Sequence, residues 1–502
     1  MSPYVSCVRK LRMWKILEVL CFILCLCHIS CSTQSTPKNG DVHPCFCELN
    51  GLVDDCSCKV ESVSEFNNLR LYPPLNSLLT RNYFKFFKVN LKRPCPFWAD
   101  DSRCALKGCH VCPCSPDDLP CGLKDENTED KYGKDANRAG NETPDSNEQQ
   151  DGEEETCEDE KEEEDRLGAL DTTISRENLM AFETWREHDD AQLQFCEQED
   201  EHSGDLEYVD LLLNPERYTG YKGSSPHRIW SSIYNENCFK PDIPDSHTSS
   251  YDKFLNNKTL KASRFLKDMC LEKRVFYRLI SGLHSSINIH LCAKYLLSEG
   301  MFGAEKWGPN LEEFQQRFDP ETTDGEGPIR LKNLYFTYLV VLKAIAKAAP
   351  VLQEEAFYTG EPVEDQEVQR IVKTILKIAV AFPDHFNESA MFQGDQQQAL
   401  QLKEEFRTHF RNISRIMDCV GCDKCKLWGK LQIRGLGTAL KILFTEQGGT
   451  GSSKLTLNRG EIVALFNGFG KLSSSISIVD DFQKLLSNGN RQPESTAAAG
   501  YL

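Results

Sequence analysis

Several common features are missing from this 502-residue sequence. It has no G-x-G-x-x-G turn, which argues against a Rossmann-type cradle for a dinucleotide. Basic charge is scarce: the formal net charge is −18, so the cationic face that nucleic acid requires is not provided. There is no regular run of alternating strand pattern and no internal repeat, which leaves little room for a β-sandwich or a solenoid. Beyond the first thirty residues, no segment reads as long and apolar enough to cross a bilayer. The C-terminus carries no KDEL-type retrieval signal.

Cysteine is what the chain has in excess, with 23 in all. Its compartment decides what those thiols do. Arg9, Lys10, Arg12 and Lys15 precede a short apolar run, Val19 to Cys27, and small residues follow at Ser30 and Ser32. That is the layout of a secretory signal over 1–32. An uncleaved anchor is the alternative, but Glu18 and His28 bound the run too tightly. Five cysteines fall in the signal and 18 remain. A chain this large can bury a core without disulfide staples, so some of the 18 are expected to do redox work. The sequons at Asn141, Asn257, Asn387 and Asn412 fit lumenal exposure.

The organisation reads as five segments. After the signal, 33–121 is a Cys-rich region. It opens with CFCELNGLVDDCSC at 45–58, which suggests a nested knot of Cys45–Cys58 and Cys47–Cys56, with zinc as the alternative. Residues 81–92 read as a strand or an amphipathic piece. Residues 122–170 form an acidic stretch with almost no apolar side chains, expected to be a flexible loop, and Cys157 lies in it. Residues 171–487 show helical spacing, with helices expected at 174–188, 225–236, 259–282, 284–298, 310–318, 331–348, 365–380, 395–416, 423–443 and 458–487. The apolar run Asn333 to Ala348 belongs in the core. Residues 488–502 read as a disordered tail. The fold expected is mainly α, a single large helical domain behind a Cys-rich N-terminal loop region.

Cys419-Val-Gly-Cys422-Asp-Lys-Cys425 is the densest cluster. It allows three chemistries. An iron–sulfur motif would need a fourth cysteine followed by proline, which is missing. Zinc would need a ligand from elsewhere, such as His110 or Cys112. An exchangeable disulfide needs only Cys422 and Cys425 at a helix start, where the dipole and nearby Lys424 and Lys426 favour thiolate. Cys104-Ala-Leu-Lys-Gly-Cys109 closes a second candidate disulfide, in a loop. It reads either as a structural bridge or as a mobile pair that brings electrons to a buried one by direct sulfur contact. An electron acceptor is then required. Scattered candidates for a cofactor site are Arg217 and Thr219 with Trp230, Ser281 with His284 one turn apart, Arg317 and Arg330. Taken singly, each is equally a packing or surface residue.

Longer stretches narrow this. CFCELNGLVDDCSC, RLYPPLNSLL, YFKFFKVNLKRPCPFWADDSRC, EYVDLLLNPERYTGYKG, CLEKRVFYRLISGLHSSINIHL, GEGPIRLKNLYF and FRNISRIMDCVGCDKCKLWGKLQIRGLGTALKILF run in order from about 45 to 485. Together they resemble the endoplasmic reticulum oxidoreductin family of flavoenzymes. The resemblance implies a helical-bundle core holding FAD, with contacts from Arg217, Thr219, Trp230, Ser281, His284, Arg317 and Arg330. It makes Cys422–Cys425 the pair beside the flavin and Cys104–Cys109 the shuttle that meets protein disulfide isomerase. Cys95–Cys419 becomes a structural link. Cys104–Cys157 and Cys109–Cys114 become regulatory pairs that Cys196 joins, and Cys238–Cys270 a structural one. It further implies oxygen as acceptor with hydrogen peroxide as product, a monomer in the lumen of the endoplasmic reticulum, and peripheral association with the lumenal membrane face. Cys112, Cys121 and Cys292 lie outside the family pattern. The competing function is a non-catalytic disulfide-rich or zinc-binding secretory scaffold.

Overall fold

The computed structural model describes residues 47–48, 57–58, 60–97, 108–124, 195–196, 205–221, 224–236, 271–298, 305–382, 396–445 and 455–489. The signal segment, Cys45, Cys56, Cys104, Cys157, Cys238, Cys270, the expected helix 174–188, residues 490–502 of the expected tail and the sequons at Asn141, Asn257 and Asn387 lie outside these, while residues 488 and 489, expected in the tail, end the last helix. Asn412 is half-buried on a helix.

Helices dominate. The short N-terminal ones are α1 (Val60–Phe66), α2 (Tyr72–Leu79), α3 (Asn82–Lys85) and α4 (Cys121–Lys124). Then come α5 (Ser224–Glu236), α6 (Leu271–Ala293), α7 (Leu311–Phe318), α8 (Glu326–Glu354) and α9 (Pro362–Val380). The last three are α10 (Gln396–Ile416), α11 (Asp423–Phe444) and α12 (Arg459–Gly489). Four of them form the core: α6 packs on α8, α8 on α11, α11 on α12, and α12 back on α6. This is a single large, mainly α domain, as its sequence pattern predicts.

Local chemistry sets the helix ends. Asn310 caps α7, its side-chain oxygen accepting from Glu313 N at 3.0 Å. Asn458 and Glu461 form a reciprocal box at the start of α12: Asn458 Oδ1 accepts from Glu461 N at 2.8 Å, and Glu461 Oε2 from Asn458 N at 3.0 Å. Glu461 then holds Lys441 of α11 in a buried ion pair at 2.7 Å, which ties two core helices. Tyr335, Phe336 and Tyr338 of α8 are among the largest fully buried side chains.

Three expectations change. Helices α8 and α12 are long and apolar enough to cross a bilayer by length and composition, yet 72% of each apolar window is packed inside the protein. Their hydrophobicity serves the bundle core. Second, α6 runs unbroken through Gly282, and its expected continuation to 298 is replaced by strand Tyr295–Ser298, paired antiparallel with Glu305–Gly308. Third, residues 82–85 are helix and only Phe86–Val89 is strand, paired antiparallel with Glu207–Asp210 about 120 residues later. In the two-residue pairing near the N-terminus, Cys47 lies opposite Cys58.

Candidate active site

The first turn of α11 carries two of the cysteines. Cys422 is the cap residue, and its Sγ accepts from Cys425 N at 3.3 Å. Cys422 is 4% exposed and Cys425 0%. Both are thiols here. Cys425 Sγ donates to Arg217 O at 3.2 Å. The helix start was expected to lower these thiol pKa values. For Cys425 the reverse holds: burial pushes it well up, helped by the hydrogen bond to Cys422 and by the charges of Glu216 and Asp423. Loss of hydration outweighs the dipole.

Gly220 explains how the pair is enclosed. It lies in the 3-10 turn Tyr218–Tyr221, and a Cβ there would run into Cys425 Sγ and stand 2.9 Å from Cys422 Sγ. Only a residue without a side chain lets this backbone close over both sulfurs.

The segment leading towards the loop cysteines is fastened to the same helix. Cys95 is bonded to Cys419, so Cys419 is not available to a metal or cluster alongside Cys422 and Cys425. Lys426 donates to Leu91 O at 3.1 Å and Lys430 to Asn90 O at 2.6 Å. Lys430 also pairs with buried Asp418 at 2.7 Å.

On the far side of that loop, Cys109 is 5% exposed and packs in one cluster with Cys422 and Cys425. Its carbonyl accepts from Lys424 N at 2.9 Å. His110 Nδ1 faces Asp423 Oδ2 at 3.5 Å. Cys109 and Cys112 are both disulfide-bonded. Cys114 is a thiol, pushed up to about 11 by burial, so the pair Cys109–Cys114 is not formed in this structure. Cys196 is a half-buried thiol, donating to Ile433 O at 3.3 Å and pushed up to about 12 by loss of hydration. It takes part in no disulfide here, against the regulatory pairing expected of it.

A buried polar network lies beneath Cys425, and nothing in the sequence pattern announces it. Glu216 accepts from Tyr221 OH at 3.1 Å and from Gln432 Nε2 at 2.8 Å. It faces Lys471 Nζ at 3.3 Å. Tyr221 OH also lies 3.2 Å from Cys425 O. Lys471 donates to Tyr218 OH at 2.8 Å and sits 3.9 Å from the Trp428 ring centroid.

The other candidates gather where α5, α6, α7 and α8 meet. Trp230 stacks on His284 with centroids 3.8 Å apart at 12°. Tyr234 OH is 3.2 Å from His284 Nδ1. Burial, then the positive charges of Arg330 and Arg317, push His284 down to about 3. Arg317 donates to Asn288 Oδ1 at 2.8 Å and also pairs with Glu313 one turn earlier. Arg330 donates to Arg317 O at 3.0 Å. Ser281 Oγ accepts from Asn333 Nδ2 at 3.0 Å. Five of the seven predicted contacts thus share one region. Arg217 and Thr219 belong instead to the segment that closes over the cysteines, with the Arg217 guanidinium 4.9 Å from the Trp307 ring centroid. That segment joins the two regions, since Tyr218 stacks on His290 of α6 at 4.7 Å.

A helical bundle that gathers cysteine sulfurs from distant segments over one helix start, beside a region of stacked aromatics and arginines, has the make-up of a thiol–disulfide oxidoreductase. The comparisons narrow the class. The family model Endoplasmic Reticulum Oxidoreductin 1 (ERO1) matches residues 70–479. ERO1-like protein alpha of Mus musculus is 47% identical over 487 residues, covering 95% of this chain and 99% of its own length. Ero1-like protein of Drosophila melanogaster is 48% identical over 463 residues, covering 88% and 91%. Among solved structures, Ero1p, described as a source of disulfide bonds for oxidative protein folding in the cell, superposes with a TM-score of 0.51 at 28% identity, covering 86% of this chain and 99% of its own. A variant of S. cerevisiae Ero1p gives 0.50 at 28%, with the same coverage. The chain belongs to the Endoplasmic Reticulum Oxidoreductin 1 family, which takes its name from the endoplasmic reticulum.

Proposed function

We propose that this protein is a flavin-dependent thiol oxidase that reoxidises protein disulfide isomerase in the lumen of the endoplasmic reticulum. The observation that carries the reading is the cluster of Cys109 with Cys422 and Cys425, in which a loop cysteine is held against a buried C-x2-C pair. Such contact is what thiol–disulfide exchange requires.

Reduced isomerase breaks the Cys104–Cys109 disulfide and leaves two thiols. Cys109 thiolate attacks Cys422 of the inner disulfide; the S–S bond breaks, and Cys425 leaves as the thiolate. Cys104 then attacks Cys109 and releases Cys422. Two electrons and two protons have moved inward. Isomerase at about −180 mV can drive this towards an acceptor as oxidising as oxygen. Cys425, the deeper sulfur, takes the flavin-facing role, and Cys422 faces the shuttle.

The aromatic–arginine region fits FAD. Trp230 and the uncharged His284 present flat faces for a planar ring, and Arg317 and Arg330 bring the cationic groups that a pyrophosphate takes. The Ser232 hydroxyl is buried on the helix of Trp230 with no hydrogen bond among the described residues, which leaves a donor for a ligand. Arg217, Thr219 and Ser281 complete the set. When bound, FAD supplies two-electron acceptance from the inner dithiol and delivery to oxygen, giving hydrogen peroxide. Cys95–Cys419 fixes the helix start, and alternative disulfides of Cys104 with Cys157 and of Cys109 with Cys114 switch the shuttle off. In this reading the chain begins with a signal (1–32), its tail starts after Gly489 where the last helix ends, and Cys238–Cys270 is structural.

Purified protein is expected to be yellow, to oxidise reduced isomerase in air with peroxide formed, and to lose flavin reduction in Cys425→Ala. Colourless protein that binds no flavin and makes no peroxide overturns the reading in favour of a disulfide-rich scaffold.

A further inference from the structure

Asn214 is a buried polar side chain that joins the two cysteine segments and belongs to neither. It is 0% exposed. Its carboxamide holds the backbone of Cys112 at two points: Oδ1 accepts from Cys112 N at 2.7 Å, and Nδ2 donates to Cys112 O at 2.8 Å. Its own carbonyl accepts from Trp428 Nε1 at 2.7 Å, three residues beyond Cys425 on α11. A tight turn delivers it, with Asp210 Oδ1 accepting from Leu212 N at 2.7 Å and Asp210 O from Asn214 N at 3.0 Å. Just past Cys112, Pro113 bridges Val209 and Cys114 N donates to Tyr208 O at 3.0 Å. The chain from Cys109 to Cys112 is therefore strung between two fixed points. One is the Lys424 N–H at the helix start, and the other is the Asn214 carboxamide, itself locked to the same helix through Trp428.

Resting on the thiol-oxidase reading above, we infer that Asn214 is a positioning residue for electron handover from the shuttle to the inner pair: by clamping Cys112 to α11 it holds Cys109 Sγ in line with Cys422 Sγ. It touches no reacting sulfur. Its effect is confined to the second exchange step, in which the Cys109 thiolate breaks the Cys422–Cys425 bond. The first step, between isomerase and the loop cysteines, does not use the clamp. A role in folding alone would weaken both steps together.

The test separates the two steps by counting thiols. Oxidised holoprotein is mixed without oxygen with reduced protein disulfide isomerase, quenched in acid at intervals, alkylated and mapped by mass spectrometry. In Asn214→Ala, isomerase thiols are expected to disappear at the wild-type rate while thiols at Cys422 and Cys425 appear about tenfold more slowly, the scale of one or two lost hydrogen bonds. Asn214→Asp keeps the shape and the bond from Cys112 N but sets a carboxylate against Cys112 O, and a several-fold slowing is expected. This variant decides the matter alone if the alanine variant does not fold. Wild-type appearance of inner thiols in Asn214→Asp, or proportional slowing of both steps, overturns the inference. Wild-type protein that passes no electrons to Cys422 and Cys425 would instead overturn the proposed function, and the two failures are read from different samples.

Discussion

The cysteine region and the aromatic–arginine region share one bundle but are built in opposite ways. The first is assembled from main chain. Its defining contacts are a carbonyl on Lys424 N, lysine ends on the carbonyls of Asn90 and Leu91, a carboxamide on the backbone of Cys112, and a glycine pressed on two sulfurs. The second is assembled from side chains projected off regular helices: Trp230, Ser281, His284, Arg317 and Arg330. Backbone-built sites tolerate little change in path, because each contact fixes the next. Side-chain sites tolerate motion of their ends but respond to charge. The proposed relay, which brings sulfurs into contact, suits the first construction, and the proposed binding of a large anionic cofactor suits the second.

Breaking the covalent fastening is the strongest challenge to that contrast. Cys95→Ser opens a link between residues 324 apart in sequence, and a loss of about 3–5 kcal/mol of stability is expected in denaturant titration. Flavin binding by the folded fraction should survive, since no member of the aromatic–arginine set touches that link. Equal loss of both would mean the regions are one unit. Next in size is Gly220→Ala. Its added methyl group meets both sulfurs, and a misplacement on the order of 1 Å lowers exchange about a hundredfold. Stopped-flow reduction of the inner pair checks this, and near-normal rates would show that the enclosure is loose.

Charge substitution sharpens the comparison at smaller scale. Burial is the main cause that raises Cys425, and the Glu216 carboxylate adds to it, so Glu216→Gln should lower that thiol and move the alkaline limb of the exchange pH profile to lower pH. An unmoved profile would detach Glu216 from the relay. Least is expected from His284→Phe. Histidine held down to about 3 in the fold takes up protons on unfolding. Its share of stability is therefore full above pH 6.5 and is lost as the pH falls towards 3. The phenylalanine variant, which keeps the stack on Trp230, should lose about 1–3 kcal/mol less than wild type between pH 7 and pH 4, measured by chemical denaturation. An unchanged acid limb would point to His290, also held near 3 by burial and by Lys471.

Much of this arrangement is legible in the chain, for local reasons. The apolar period of α8 and α11, and the Asp423 start behind a cysteine cap, are contained within single segments. The strand Phe86–Val89 was not separable from its neighbours, because its partner Glu207–Asp210 lies far away in sequence and each is four residues long. The hydrophobicity of α8 and α12 marks burial in protein as readily as burial in lipid, and only packing separates the two. Gly220 had a faint signal, a glycine between threonine and tyrosine in an otherwise bulky run. Asn214, Glu216 and Lys471 had none. Their roles come from residues more than a hundred positions away, and a buried polar side chain looks like a surface one until its partners are placed.

The described chain on either side of the cysteine loop is fastened near one helix start, at Cys95–Cys419 in the turn just before α11 and at the Cys109–Lys424 contact in its first turn. Cys104 lies five residues from Cys109, so its α-carbon is never more than about 18 Å from that of Cys109, at roughly 3.6 Å per residue. A group leashed this closely has an effective concentration in the millimolar range. Under the proposed function, the inner pair therefore meets its own shuttle at a concentration that a dilute protein thiol in solution does not reach, and the length of the leash sets the order of electron transfer.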